Sequence, residues 1–562
     1  MMGKWRSFGL LNGPDAAQRR AVFKAMGFDD IDLTRPLIGI ANTWSELCPG
    51  HYHLRELAKA VKAGVWQAGG MPVEFNSVSQ CATITIGLGG IRYDTPTRDI
   101  VAAGVEIASE LHMLDGLVML STCDKNVPAH LLAAARVNIP TIIVTGGSML
   151  PGQYKGEEFL LPDLDEMVWG SSKVAKHSAA DVMEAENYAC PGPGACPVLG
   201  TANTMQCLAE AIGLALPGSA IIPAVFPEKL WSAKASGRMI VELVKNQITP
   251  RQIMTRKALE NTICVHQALG GSTNAVLHIL ALAEELGLGD EITLDTIERF
   301  SFSTPCITNV RPNGPYDIVE LDRAGGIPGV MKVLAQNGLL HLDIMTVTGK
   351  TVRENLTKVK VKNREVIHSV DDPVYKEGGV TVLRGNLASS AITRVTGIRS
   401  DLRYFTGPAR VFDSFEDALK AIWQDKIIKT GDVVVVRYEG PRGGPGMTEV
   451  LPVLASLVGM GLDAAVVTDG KFSGFARGPG ICQVTPEAAV GGPLALVEDG
   501  DLIEIDITRK QLNLKVPDEE LLRRRAKWQP PEPRVKHGVL NLYARLALPA
   551  TKGAGLPPRL DR

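Results

Sequence analysis

Leu117-Val118-Met119-Leu120-Ser121-Thr122-Cys123-Asp124-Lys125-Asn126-Val127-Pro128, followed by Thr141-Ile142-Ile143-Val144-Thr145-Gly146-Gly147, is the stretch whose reading decides the fold. Two short apolar runs flank a helix-like segment opened by Pro128, which is the pattern of a strand-helix-strand unit. In open parallel sheets, ligands sit just beyond the carboxyl ends of the strands, where loop backbone and helix amino ends converge. The thiol of Cys123, the carboxylate of Asp124 and the amine of Lys125 therefore stand consecutively at an expected active-site elbow.

Working outward, the same alternation repeats. Pro36 to Ala41 reads as a buried strand that delivers a loop, Asn42 to His51, containing Cys48. Leu54 to Ala68 has apolar positions at helical spacing and is stopped by Gly69-Gly70. Val73-Glu74-Phe75 is a further strand, Ser77 to Gly90 a small-residue loop, and Thr97 to Leu111 a helix. Pro151 to Gly170 reads as loop, and Ser172 to Asn187 as a polar helix leading into Cys190-Pro191-Gly192-Pro193-Gly194-Ala195-Cys196, a rigid turn with exposed amides. Residues 228 to 300 read as largely helical, interrupted by Gly270 to Asn274. From about Asp371 the texture changes to short β-branched runs between Gly, Pro and Asp: Gly378 to Gly385, Ala409 to Phe412, Asp432 to Arg437, Ala464 to Thr468 and Leu502 to Ile507. The expected fold class is α/β, with an amino-terminal α/β/α domain on a parallel sheet (1–370) and a carboxy-terminal β-barrel-like domain (371–562).

Composition narrows the function. Fifty-nine basic against 61 acidic residues, without a long basic run, argues against nucleic acid or an anionic membrane as the main partner. No apolar run is long enough to span a bilayer, and Met1 to Leu11 lacks an uninterrupted apolar core of signal-peptide length, so a cytoplasmic protein is expected. Nine cysteines in such a chain suit reduced thiols or metal ligands better than a disulfide framework.

A cysteine taken alone usually behaves as a small buried hydrophobe, and Cys207, Cys264 and Cys306 are read that way. Cys123 and Cys196 lie instead in polar Gly/Pro loops, and Cys48 ends a third loop. Thiolates from separate loops can hold an iron-sulfur cluster, and an incomplete protein shell leaves an iron free for chemistry. Asp124 and Glu449 are candidate ligands for a hard cation such as Mg²⁺. Glu449 follows the Gly-rich run Gly440 to Thr448, and Ser473 lies in Thr468 to Gly474 after another strand.

Taken together these segments resemble the family of dihydroxyacid and sugar-acid dehydratases, which includes phosphogluconate dehydratase. The resemblance runs through Cys123-Asp124-Lys125, Cys190 to Cys196 with Thr201 to Met205, Gly270 to Asn274, Arg437 to Glu449, Thr468 to Gly474 and Pro486 to Ala489. Ser45 to Leu54, Gly146 to Gly152 and Tyr543 to Gly553 look more like the branched-chain dihydroxyacid enzymes. The resemblance implies dehydration of a 2,3-dihydroxy carboxylic acid to a 2-oxo acid, with an aldonic sugar acid as the alternative substrate. It implies Cys123 and Cys196 as ligands of an iron-sulfur cluster (2Fe-2S, with 4Fe-4S as the alternative), and Cys48 as the nearby third thiol. It implies Asp124 and Glu449 as Mg²⁺ ligands, Lys125 as a carbamylated Mg²⁺ ligand, Ser473 as base, and a homodimer or homotetramer.

Two departures stand out. Where the family usually has Pro-Cys-Asn, this chain has Pro49-Gly50-His51, which leaves Cys48 or Cys81 to serve, or only two protein cysteines to hold the cluster. Where the dihydroxyacid enzymes usually carry Asp-Gly, it has Ala82-Thr83, so one Mg²⁺ ligand is lacking, with Gln80, Asp94 or water as candidates to replace it. A non-catalytic, cluster-binding relative is the rival these departures motivate; the joint presence of Lys125, Glu449 and Ser473 weighs against it.

Overall fold

The apolar runs around Cys123 become β3 (Gly116–Ser121) and β4 (Thr141–Thr145), joined by the helix Asn126–Val137. The computed structural model describes residues 5–171, 178–474 and 477–558. With β1 (Leu37–Asn42) and β2 (Met71–Asn76), these strands form a four-stranded sheet in the order β2-β1-β3-β4. Every pairing is parallel, with Asn42 opposite Leu120 and Ser121 opposite Thr145. β1, β3 and β4 are buried at every position, which explains their continuous apolar runs. Helix Leu54–Ala68 packs against Pro227–Asn246, and Asp94–Leu111 against Asn126–Val137, covering the sheet.

A parallel sheet sends all its carboxyl ends to one edge. The loops leaving that edge carry Cys48 after β1, Cys81 after β2 and Cys123 after β3. The loop after β4 receives Cys196, because the Ala195 amide bonds Gly147 O at 3.0 Å and the Met149 amide bonds Ala195 O at 2.7 Å. The topology thus gathers thiols that lie far apart in sequence.

Between the sheets, the reading of Pro151 to Gly170 as loop is corrected. It contains a hairpin, β5 (Gly152–Tyr154) and β6 (Glu157–Phe159), and a helix, Leu161–Ser171. The hairpin strands are polar and short, so they lack the alternation that marks a strand. Part of the expected helix Ser172 to Asn187 lies outside the described residues; Ala179–Ala185 is helical and opens with a Ser178–Asp181 capping box.

The carboxy-terminal half builds β7 (Val380–Leu383), β8 (Ser390–Arg394), β9 (Tyr404–Phe412), β10 (Val433–Val436), β11 (Ala465–Thr468), β12 (Gly480–Thr485), β13 (Leu502–Asp506) and β14 (Gln511–Leu514). Their order is β14-β13-β9-β10-β11-β12-β8-β7. A bridge between Arg384 and Gln511 brings the two ends of this sheet together, so it is nearly closed, as the barrel-like reading expects. β10 shows why its sequence is four consecutive valines. Val433 and Val435 enter the barrel's own core, while Val434 and Val436 join the larger cluster shared with the amino-terminal half.

The last α-helix among the described residues, Gly538–Leu546, is tied beneath the amino-terminal half. Tyr543 donates to Asp99 at 2.5 Å, the Leu556 amide donates to the same carboxylate at 2.7 Å, and Arg98 bonds both Asp99 (2.9 Å) and Gly553 O (3.0 Å). Tyr543→Phe removes a buried hydrogen bond to a charged acceptor and is expected to cost about 1.5–3 kcal/mol. Calorimetry would read this as a lowered melting midpoint. Among the described residues no helix is long and apolar enough to cross a membrane.

Candidate active site

At the carboxyl edge of the parallel sheet lies a cavity of about 80 Å³ lined by Cys48, Cys81, Cys123, Cys196, Asp124 and Ser473, among others. Cys48 and Cys123 approach to 3.3 Å, Sγ to Sγ. The Cys81 sulfur hydrogen-bonds with both. This contact depends on Gly50, because a Cβ there would lie 2.7 Å from the Cys123 sulfur.

The thiols share protons unequally. Those of Cys123 and Cys48 donate to Cys81 and hold it well below the ordinary thiol range. Cys48 is lowered by its bond with Cys123, yet the Cys81 sulfur and burial together push it up to about 12. Cys123 is driven well above the ordinary value by Cys48, Cys81 and burial, and Cys196 by burial first. Three such sulfurs readily release one proton between them, and a bound metal is what would displace the rest. Soft sulfur donors in this number suit iron or an iron-sulfur centre.

His51 also stands in this group, with ligand atoms of Cys48, His51 and Cys123 all within 4.8 Å of one another. Both its ring nitrogens are already engaged. Nε2 accepts from the Cys123 amide at 3.1 Å, which fixes the proton on Nδ1, and Nδ1 donates to Thr43 O at 2.7 Å. Burial lowers its pKa to about 4, so the ring is neutral. His51 therefore holds the backbone of Cys123 in place.

Joined to the cavity through Asp124 is a buried chain of charges. Lys125 Nζ contacts Asp124 at 2.6 Å and Asp94 at 3.0 Å; Lys471 Nζ contacts Asp94 at 2.7 Å and Glu449 at 3.4 Å. Gln80 donates to Asp124 at 2.5 Å and Asn274 to Glu449 at 3.4 Å. Burial opposes the charge on Lys125, but Asp124 and Asp94 outweigh it and raise its pKa. Burial raises Glu449 and Asp124. Three carboxylates against two ammonium groups leave one net negative charge. Asp94 Oδ1, Glu449 Oε1, Gln80 Oε1 and Asn274 Oδ1 have no hydrogen-bond donor. Oxygen acceptors around excess negative charge fit a hard divalent cation.

Ser473 reaches the cavity from the carboxy-terminal half. The Lys471 amide bonds Thr448 O at 3.0 Å and the Val450 amide bonds Lys471 O at 2.9 Å, which sets the Glu449 and Lys471 segments side by side. The Thr273 hydroxyl donates to Phe472 O at 3.2 Å. Gly474 lets this loop press onto the amino-terminal half, since a Cβ there would lie 2.7 Å from Ser272 Cβ and 2.8 Å from Gly200 Cα. The helix Thr201–Ala211 begins at the cavity wall, and its partially positive amino end suits a substrate carboxylate.

Of the residues singled out from sequence, Cys48, Cys123, Cys196, Asp124 and Ser473 meet at the cavity, and Lys125 and Glu449 lie in the buried charge chain. Lys471 joins that chain from outside the residues singled out. Its signal was a lysine immediately after the Asp469-Gly470 turn in a segment otherwise flanked by buried strand.

Residues 35–355 match the model of the dihydroxy-acid/6-phosphogluconate dehydratase amino-terminal domain, and residues 365–554 match that of the carboxy-terminal domain. The chain is 48% identical over 546 residues to a dihydroxy-acid dehydratase of Ignicoccus hospitalis, covering 97% of this chain and 98% of that protein. It is 47% identical over 552 residues to one from Acetivibrio thermocellus (98% and 99% covered). It is 46% identical over 554 residues to one from Pyrococcus furiosus (98% and 99% covered).

Proposed function

Since the chain belongs to the dihydroxy-acid/6-phosphogluconate dehydratase family of hydro-lyases, we propose that it removes water from a 2,3-dihydroxy carboxylic acid to give a 2-oxo acid. One observation carries this reading: four thiols, a carboxylate at the head of a buried charge chain and a serine hydroxyl line a single cavity.

Cys48, Cys123 and Cys196 would hold an iron-sulfur cluster, and Asp124, Glu449 and Lys125, the last as its carbamate, would hold Mg²⁺. When bound, these groups supply Lewis acidity, which lowers the cost of placing charge on the substrate's carboxylate and of expelling the C3 hydroxyl. The chain's own residues do the rest. Ser473 takes the C2 proton onto Oγ. For this its pKa must fall far below that of a free hydroxyl, and the positive charge of Lys471 works in that direction. The amino end of the helix Thr201–Ala211 receives the substrate carboxylate. The enol left by loss of water collects a proton at C3 to become the 2-oxo acid. Lys125, an ammonium between Asp94 and Asp124 here, would lose two protons as its nitrogen bonds carbon dioxide to form the carbamate, and both carboxylates would then be released from it.

The separation of the two sheets, one ending at Thr145 and the other starting at Val380, supports a division at about residue 370. Leu47, Ile84 and Leu88, at 79%, 63% and 63% exposed, flank Cys48 and Cys81 in the chain and fit burial against a second copy in a cytoplasmic homodimer or homotetramer.

The test is 2-oxo acid formation by anaerobically prepared, cluster-reconstituted protein with Mg²⁺, offered 2,3-dihydroxyisovalerate beside a panel of aldonic acids. Turnover of the dihydroxyisovalerate is expected. Preference for an aldonic acid would move the assignment to the sugar-acid branch, and silence on all with the cluster present would overturn it.

A further inference from the structure

We infer that Asp94 supplies the carboxylate ligand to the divalent cation that Ala82 cannot offer, an inference that rests on the proposed function above. Ala82 sits on the cavity wall and presents only a methyl group. Asp94 opens the helix Asp94–Leu111 and is 5% exposed. Its Oδ2 lies 3.0 Å from Lys125 and 2.7 Å from Lys471, while its Oδ1 is buried without any donor. Glu449 has the same character, with Oε2 shared between Lys471 and Asn274 and Oε1 unpartnered. One ammonium therefore tethers two carboxylates, each keeping a free oxygen for a hard cation, with the free Oε1 of Gln80 as a neutral third donor.

The other buried carboxylate on this helix does not compete. Asp99 is consumed by Arg98, Tyr543 and the Leu556 amide. Gln80 carries no charge and cannot restore the lost anion alone. Lys471 adds a structural reason for the exchange, since its ammonium holds Asp94 against Glu449 across the two halves of the chain.

Mn²⁺ is the probe, titrated into full-length, cluster-loaded protein and followed by the paramagnetic resonance of the free ion. Asp94→Asn, which keeps the side chain's shape, is expected to weaken saturable Mn²⁺ binding at least about tenfold while iron content holds and far-ultraviolet dichroism shows the fold retained. Ala82→Asp placed in the Asp94→Asn background is expected to recover most of that loss. Should Asp94→Asn not fold, anomalous scattering from Mn²⁺-soaked wild-type crystals decides, with Asp94 expected as a direct ligand of the peak. Unchanged Mn²⁺ binding by Asp94→Asn, or a peak without Asp94 among its ligands, overturns the inference and leaves the dehydratase reading standing. Wild-type protein that binds no Mn²⁺ overturns both this inference and the cation in the proposed function.

Discussion

Ser473→Ala is expected to lower turnover of the dihydroxy acid by about 10²–10⁴-fold, the usual contribution of a positioned base, with iron, sulfide and the visible spectrum unchanged. The expectation follows from where the loop comes from. Ser473 belongs to the carboxy-terminal half, whereas Cys48, Cys81, Cys123 and Cys196 all stand on loops of the amino-terminal half. Removing one hydroxyl leaves the thiols and their supporting contacts from His51 and Gly50 untouched. The Phe472 carbonyl still accepts from Thr273, so the loop keeps its place. Steady-state kinetics beside iron analysis separates the outcomes. Loss of turnover with full iron supports the base. Equal loss of both would make Ser473 a structural residue, and undiminished turnover would remove it from the chemistry.

The parts of the fold that could be read in advance are those where burial and sequence agree. β3 and β4 carry uninterrupted apolar runs because both sheet faces are covered, the helix Leu54–Ala68 a periodic one because one face is covered, and the helix between β3 and β4 is buried from Asn126 to Ala135. β8 and β12 are not legible as strands, because Ser390, Thr393, Arg394, Gly480 and Gln483 interrupt the apolar pattern. Some of their polar groups find long-range partners: Thr393 donates to Gly480 O at 2.9 Å and Gln483 to Thr273 O at 2.9 Å. The site divides the same way. Cys123, Asp124 and Lys125 are legible because they follow a strand in one short run. The Asp94–Lys471 contact joins residues 377 apart, and no local pattern announces it. Cys81 could be noticed as a thiol, but its place beside Cys48 and Cys123 follows only from the parallel order of β2, β1 and β3.

Cys123→Ser is the complementary case and is expected to abolish cluster assembly outright, with iron and sulfide falling to background and turnover lost with them. Cys123 is the hub of the thiol group. Its sulfur lies 3.3 Å from that of Cys48, and Cys81 bonds it as well. Its amide is fixed by neutral His51, and the space it occupies is kept free by the missing Cβ of Gly50. A serine oxygen is a harder and more basic donor than a thiolate, so it neither deprotonates readily nor matches iron's preference for sulfur. The surrounding backbone has no reason to move, because the hydroxyl is smaller than the thiol and the His51 contact is to main chain. Far-ultraviolet dichroism should therefore be unchanged while the visible absorbance disappears. The pair of variants then divides the cavity by function. Ser473→Ala silences a loaded protein and Cys123→Ser leaves a folded, unloaded one. Iron retained in Cys123→Ser at the wild-type level would mean that Cys48, Cys81 and Cys196 suffice, and would overturn the central place given to Cys123.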